Sequence, residues 1–177
     1  MKGILDNVLV FAATAHQGQT RKYKPEPYIS HPIRVMELCK QYSDNIAMLS
    51  AALLHDVLED TAITADELDR FLRANMTPEV ARETFSNVIA LTDVYIKKDY
   101  PQFNRKTRKK MELERLTMIP PDAQTIKYAD IIDNSSEIAI HDLQFSHVLL
   151  KEYRQVLKRL DKGNPELRER AMQAANR

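Results

Sequence analysis

The stretch Leu53-Leu54-His55-Asp56-Val57-Leu58-Glu59-Asp60-Thr61 concentrates the side chains best suited to chemistry in this chain. His55 and Glu59 are four residues apart, as are Asp56 and Asp60. On a helix each pair shares a face, one turn apart. Three carboxylates and an imidazole at the end of an apolar helix repel one another and are costly to desolvate unless positive charge compensates them. A bound divalent cation is the economical compensation. The bland alternative is a frayed, solvated helix end that these residues merely terminate, and a His-Asp dipeptide alone does not exclude it.

The elements that must carry these residues read as all-α. The chain has three glycines and no tryptophan among 177 residues, and helical spacing of apolar side chains recurs from end to end. About eight to ten helices are expected in a single domain over residues 1–177. Ile4, Val8, Phe11, Ala12 and Ala15 form one apolar stripe, and Gly18, Pro25 and Pro27 mark the turn after it. Pro32 suits the first position of the next helix, which leaves His31 at its cap. A third helix from about Asn45 to Leu58 is apolar nearly all round and should be the spine of the fold. Thr64 with Glu67 makes a capping box, Thr77-Pro78 and Asp122 begin further helices, and Gly163-Asn164-Pro165 separates the last two.

Composition narrows the function classes. With 26 basic against 25 acidic residues, formal net charge +1, the overall balance gives no reason to expect a nucleic-acid partner. The lone cysteine, Cys39, cannot form an internal disulfide, which fits a reducing cytoplasm. The apolar stretch Val8 to Ala15 follows Asp6 and Asn7 and runs into His16, so neither a signal peptide nor a membrane span is expected. Oligomeric state leaves no mark in the sequence.

Four segments in order resemble the hydrolase domain of the RelA/SpoT family, the HD-superfamily module that removes pyrophosphate from (p)ppGpp. They are Ala15-His16-Gln17-Gly18-Gln19-Thr20-Arg21-Lys22, Pro27-Tyr28-Ile29-Ser30-His31-Pro32, Ala51 to Thr61, and Ile126-Lys127-Tyr128-Ala129-Asp130 with Asn134 four residues on. The similarity spans about residues 4–153 and looks most like the small stand-alone alarmone hydrolases. It implies an HD-type helical fold and a metal held by His31, His55, Asp56 and Asp130. It implies that Glu59 and Asp60 position and deprotonate the attacking water. Arg21, Lys22, Asn134 and Tyr153 would contact the nucleotide. Mixed imidazole and carboxylate ligation suits Mn²⁺, Zn²⁺ or Fe²⁺, and the family implies one ion, Mn²⁺. Dinuclear relatives need further histidines, and there are none between Asp56 and Asp130.

The resemblance implies a hydrolase acting on (p)ppGpp or (p)ppApp. The alternatives are a phosphatase of the same fold acting on another nucleotide such as NADPH, or a non-catalytic nucleotide-binding module. The chain departs from the family around its last motif, with Ile131, Asp133 and Ser135-Ser136-Glu137 where the family has other residues. The carboxylates of Asp133 and Glu137 are therefore candidates for reading the base. His141-Asp142 and His147 read as helix-end coincidences, and His16 as either a pocket residue or a brace for the first turn. The basic run Arg105 to Lys110 admits two readings: a gatherer of polyphosphate, or a solvated helix face paired with Glu112 and Glu114.

Overall fold

The computed structural model describes residues 2–176, without the side chains of Lys2, Ala139, His141, Leu143 and Gln144. The helices are α1 (Lys2–Ala15), α2 (Ser30–Lys40), α3 (Ile46–Leu54), α4 (Val57–Asp60), α5 (Ala65–Asn75), α6 (Pro78–Leu91), α7 (Arg105–Leu116), α8 (Pro121–His141), α9 (Leu143–Arg159) and α10 (Pro165–Ala175). The extended pairing among the described residues is one isolated bridge between Thr20 and Pro27. The all-α expectation holds. No helix is long and apolar enough to cross a membrane.

Helix α3 is the spine. Every residue from Ala47 to Leu54 is buried, enclosed by α1, α2, α6 and α8. Its first turn is capped by Asn45, whose side chain accepts from the Ala47 N–H at 2.8 Å and the Met48 N–H at 3.3 Å. The capping box of Thr64 and Glu67 and the Thr77 cap with Pro78 form as read from the sequence.

Two boundaries differ from the sequence reading. The spine does not run on to Leu58: α3 stops at Leu54, the chain bends through His55 and Asp56, and a single-turn α4 follows. His55 Nδ1 bonds back to the Ala52 carbonyl at 2.8 Å, a local side-chain bond of the kind that competes with helix propagation. Helix α2 begins at Ser30, which puts His31 inside the first turn instead of at the cap. Pro32 still fits, because the first-turn N–H groups have no intrahelical partner to lose. Asp142 both follows α8 and caps α9 by accepting from the Phe145 N–H at 3.0 Å.

The loop between α9 and α10 lies hard against α8. A Cβ added to Gly163 would stand 2.6 Å from the Tyr128 ring and 2.8 Å from the Thr125 amide nitrogen. The neighbouring Asn164 N–H donates to Thr125 Oγ1 at 2.9 Å, so the loop cannot lift away without losing that bond. Gly163→Ala should therefore cost about 1–3 kcal/mol by overpacking. Gly3→Ala, which meets nothing within 4 Å, serves as the control. Urea melts decide: equal midpoints for the two variants would show that the contact relaxes freely.

Candidate metal centre

The bend at the end of α3 aims His55 and Asp56 toward His31 from α2 and Asp130 from α8. The two imidazole rings lie edge to face with centroids 5.1 Å apart. His55 Nε2 is 3.1 Å from Asp56 Oδ2, and His31 Nε2 is 3.3 Å from Asp130 Oδ1 and 3.6 Å from Asp56 Oδ2. Potential ligand atoms of His31, His55 and Asp56 lie within 4.8 Å of one another.

Each imidazole is oriented from behind. His31 Nδ1 sits 2.6 Å from Asp133 Oδ2, and His55 Nδ1 donates to the Ala52 carbonyl. With the rear nitrogens so engaged, both Nε2 atoms face the cluster, the arrangement that fixes a metal-binding tautomer. His55 Nε2 is buried and, although 3.1 Å from Asp56 Oδ2, makes no well-aligned hydrogen bond. A buried, unpartnered imidazole nitrogen beside two carboxylates fits a hard-to-borderline divalent cation.

The electrostatics lead the same way. Burial opposes a charged His31, but its bonds to Asp130 and Asp133 outweigh that and raise its pKa to about 9. Asp56 and Asp130 are held well below the usual carboxylate range despite burial, Asp56 chiefly by His55 and Asp130 chiefly by Lys127. Lys127 Nζ donates to Asp130 Oδ2 at 2.8 Å, and Asn134 donates to Asp130 Oδ1. The cluster thus favours positive charge at its centre, whether a protonated imidazole or a dication.

These groups line a cleft of about 230 Å³ whose walls also include Tyr28, Glu59, Asn134 and Tyr153. Glu59 accepts from the Asp93 backbone N–H. Enclosure by the cleft walls, then the charge of Asp93, push its carboxyl up to about 7. Asp60 is not among the lining residues. It stands behind Tyr28, whose phenol lies 2.8 Å from both Asp60 Oδ2 and Asp56 Oδ2.

The profile of the HD domain family matches residues 8–146. The chain belongs to the HD domain family. It is 32% identical over 168 residues to the mouse guanosine-3′,5′-bis(diphosphate) 3′-pyrophosphohydrolase MESH1, covering 90% of this chain and 86% of that one. Against the human MESH1 it is 33% identical over 132 residues, 72% of this chain and 65% of that one. The pyrophosphohydrolase of Vibrio cholerae is 47% identical over 60 residues, 34% of this chain, and the match spans only 8% of that protein's length. A solved structure described as a metazoan ortholog of SpoT that hydrolyzes ppGpp superposes with a TM-score of 0.79. It is 24% identical and covers 98% of this chain and 94% of that one.

Within this HD domain the structure distributes the expected substrate residues over two adjoining cavities. Asn134 and Tyr153 line the metal cleft. Arg21 and Lys22 line a neighbouring depression that shares Tyr28, Asn134 and Tyr153 as its wall. Arg21 is engaged by Glu137 at 2.8 Å and Asn134 at 2.9 Å. Lys22 is 72% exposed on its side chain and 3.9 Å from Asp142.

Asp133 and Glu137, the candidates for reading the base, are both engaged by cations, and Glu137 also lines the depression beside Arg21 and Lys22. Asp133 accepts from Arg34 Nε at 2.6 Å as well as holding His31. Glu137, with a side chain 2% exposed, is bonded to Arg21 and Arg34 and lies 3.4 Å from Lys24. His16 braces the first turn: Nδ1 is 2.8 Å from Gln19 Oε1, its ring stacks on Tyr28, and it does not line the cleft. His147 is exposed, Asp142 serves as a helix cap, and the side chain of His141 lies outside the described residues. Sequence reasoning assigned no role to Tyr28, Arg34 or Lys127. Tyr28 and Lys127 lay inside the quoted motifs, which is the signal that could have found them.

Removing the carboxylate behind His31 tests its orienting role. Asp133→Asn should weaken Mn²⁺ binding, measured by calorimetry, by about 10–100-fold. Unchanged affinity would place the orientation of His31 elsewhere.

A second test concerns Glu59 in metal-free protein. A carboxyl whose folded pKa is raised from 4.5 to about 7 favours the protonated folded state. Its contribution to stability is therefore full below 4.5 and is lost as pH rises through about 7. Glu59→Gln removes that loss, so the variant should gain in melting temperature relative to the parent as pH climbs across this window. A constant difference at every pH would mean that Glu59 titrates as an ordinary carboxyl.

Proposed function

We propose that this HD domain is a metal-dependent 3′-pyrophosphohydrolase acting on guanosine-3′,5′-bis(diphosphate). The observation that carries the reading is the convergence of two imidazole Nε2 atoms on the carboxylates of Asp56 and Asp130 in a cleft that also holds Glu59. Similarity over 90% of the chain to a protein of that activity supplies the substrate class. His31, His55, Asp56 and Asp130 would hold one divalent ion, Mn²⁺. When bound it would polarise a phosphoryl oxygen and make water more acidic.

The chain's own groups account for the rest. Glu59 takes the proton from the attacking water as the water oxygen bonds to phosphorus and the bond to the ribose 3′ oxygen breaks. The proton passes to the departing oxygen. A carboxyl whose pKa lies near 7 is suited both to accepting and to returning a proton near neutrality. Asp60 acts through Tyr28, fixing the phenol that borders the cleft. Asn134 and Tyr153 contact the nucleotide from the wall, and Arg21 and Lys22 from beyond it. Asp133 and Glu137 are engaged by arginines, and Glu137 still lines the depression where Arg21 and Lys22 lie, so (p)ppApp belongs in the same substrate panel.

Incubating the purified protein and Mn²⁺ with ppGpp, ppApp, NADPH and a cyclic dinucleotide, with chromatographic analysis, tests the proposal. Pyrophosphate should be released from ppGpp, cease on chelation and return with Mn²⁺. Absence of pyrophosphate from both ppGpp and ppApp in metal-loaded protein would overturn it. Glu59→Gln should lower kcat by roughly 10²-fold or more with KM little changed, as loss of a general base predicts. Asp60→Asn should cost less, because it touches the cleft only through Tyr28.

A further inference from the structure

A cleft that takes a polyphosphate needs cations inside it, and those the family resemblance designates stand apart. Arg21 is committed to Glu137 and Asn134, and Lys22 opens onto the neighbouring depression. Among the described residues lining the metal cleft, the lysines and arginines are Lys109 from α7 and Lys127 from α8. Lys127, one helical turn before Asp130, has a side chain 24% exposed and donates to Asp130 Oδ2. Lys109 donates to Asp93 Oδ2 at 3.2 Å, and Asp93 in turn donates its backbone N–H to Glu59. The two ammonium groups are thus tied to the Asp130 carboxylate beside the histidines and to the carboxylate of Asp93, the residue whose backbone N–H holds Glu59.

Charge balance gives this placement its meaning. Two of the lining carboxylates are answered from outside: Glu112 by Arg115 and Glu152 by Arg105. Asp56, Glu59, Asp93 and Asp130 remain. A dication alone leaves this set net negative, and an incoming polyanion would be repelled. With both lysines the fixed charges balance when Glu59 is ionised and are net positive when it is protonated, and an ammonium has three donors, of which a single carboxylate bond occupies one.

The placement also sorts the basic run. Arg105, Lys106 and Lys110 line an outer groove between α7 and α9, whereas Lys109 lines both that groove and the metal cleft. Arg108 turns back onto the Phe103 carbonyl. One lysine of the run faces the chemistry.

Resting on the reading that the cleft takes a pyrophosphorylated nucleotide, we propose that Lys127 and Lys109 form a two-lysine clamp on the pyrophosphate group. Lys127 grips the phosphoryl group next to Asp130, and Lys109 grips the outer one from the cleft mouth.

The test uses inorganic pyrophosphate as the probe and the Mn²⁺-loaded protein, with pyrophosphate affinity and Mn²⁺ affinity measured separately by calorimetry. Lys109→Met and Lys127→Met should each weaken pyrophosphate binding by about tenfold or more, the effect of losing one charge-assisted hydrogen bond. Lys106→Met, on the outer groove, should bind as the parent does. Wild-type pyrophosphate affinity in Lys109→Met overturns the clamp whatever Lys127→Met does. A loss in Lys127→Met that merely follows a loss of Mn²⁺ would reduce that lysine to a support for Asp130 and also overturn it. Should Lys127→Met fail to fold, Lys127→Gln keeps a donor for Asp130 while removing the charge, and is read the same way. Pyrophosphate binding that depends on both lysines in a protein that leaves ppGpp intact would refute the proposed function and retain the clamp. Turnover of ppGpp by Lys109→Met with parental KM and parental pyrophosphate affinity would do the reverse.

Discussion

The burial of Asp130 is the constraint around which the site is arranged. This carboxylate sits within α8 at 5% exposure, where an unpaired charge would cost several kcal/mol. The fold answers it from three directions: Lys127 from the turn before, Asn134 from the turn after, and His31 across the cleft. Asp56, at the bend after α3, adds a second negative charge to the same small volume. The histidine that faces both is protonated readily for that reason. The strength with which this arrangement favours positive charge is the physical content of its suitability for a dication.

A second network fixes the first in place. Arg34 reaches from α2 to Asp133 and Glu137 on α8, and Arg21 from the preceding loop reaches the same Glu137. Because Asp133 also holds His31, the orientation of one cleft imidazole is continuous with the docking of the loop at residues 18–27. Buried pairs of this kind add little net stability against apolar replacements, yet removing one partner strands the other at a cost of about 3–5 kcal/mol. The network therefore serves alignment more than cohesion.

The sequence disclosed what is local. Helix caps such as Thr64 and Thr77, and the spine at residues 46–54, follow from short-range chemistry and periodicity. The convergence of His31, His55, Asp56 and Asp130 was anticipated because their motifs stand in order along the chain. The break at His55 was not, since both residues of the bend keep helix-like backbone angles and only the bond from His55 to Ala52 distinguishes it. The partnership of Arg34 with Asp133 was missed because it joins positions 99 residues apart. That Asp133 and Glu137 are held by arginines was likewise not legible, because those partners come from α2 and from the loop before it.

The total enclosure of α3 carries an evolutionary consequence. A helix packed on every side accepts few substitutions, so the bend that it positions is shielded from drift by the packing of the core. Helix α7 is exposed along one face, at residues such as Lys106, Lys110 and Glu114, and replacing these disturbs little of the core. The face of α7 can therefore vary while the histidine and carboxylate cluster keeps its geometry.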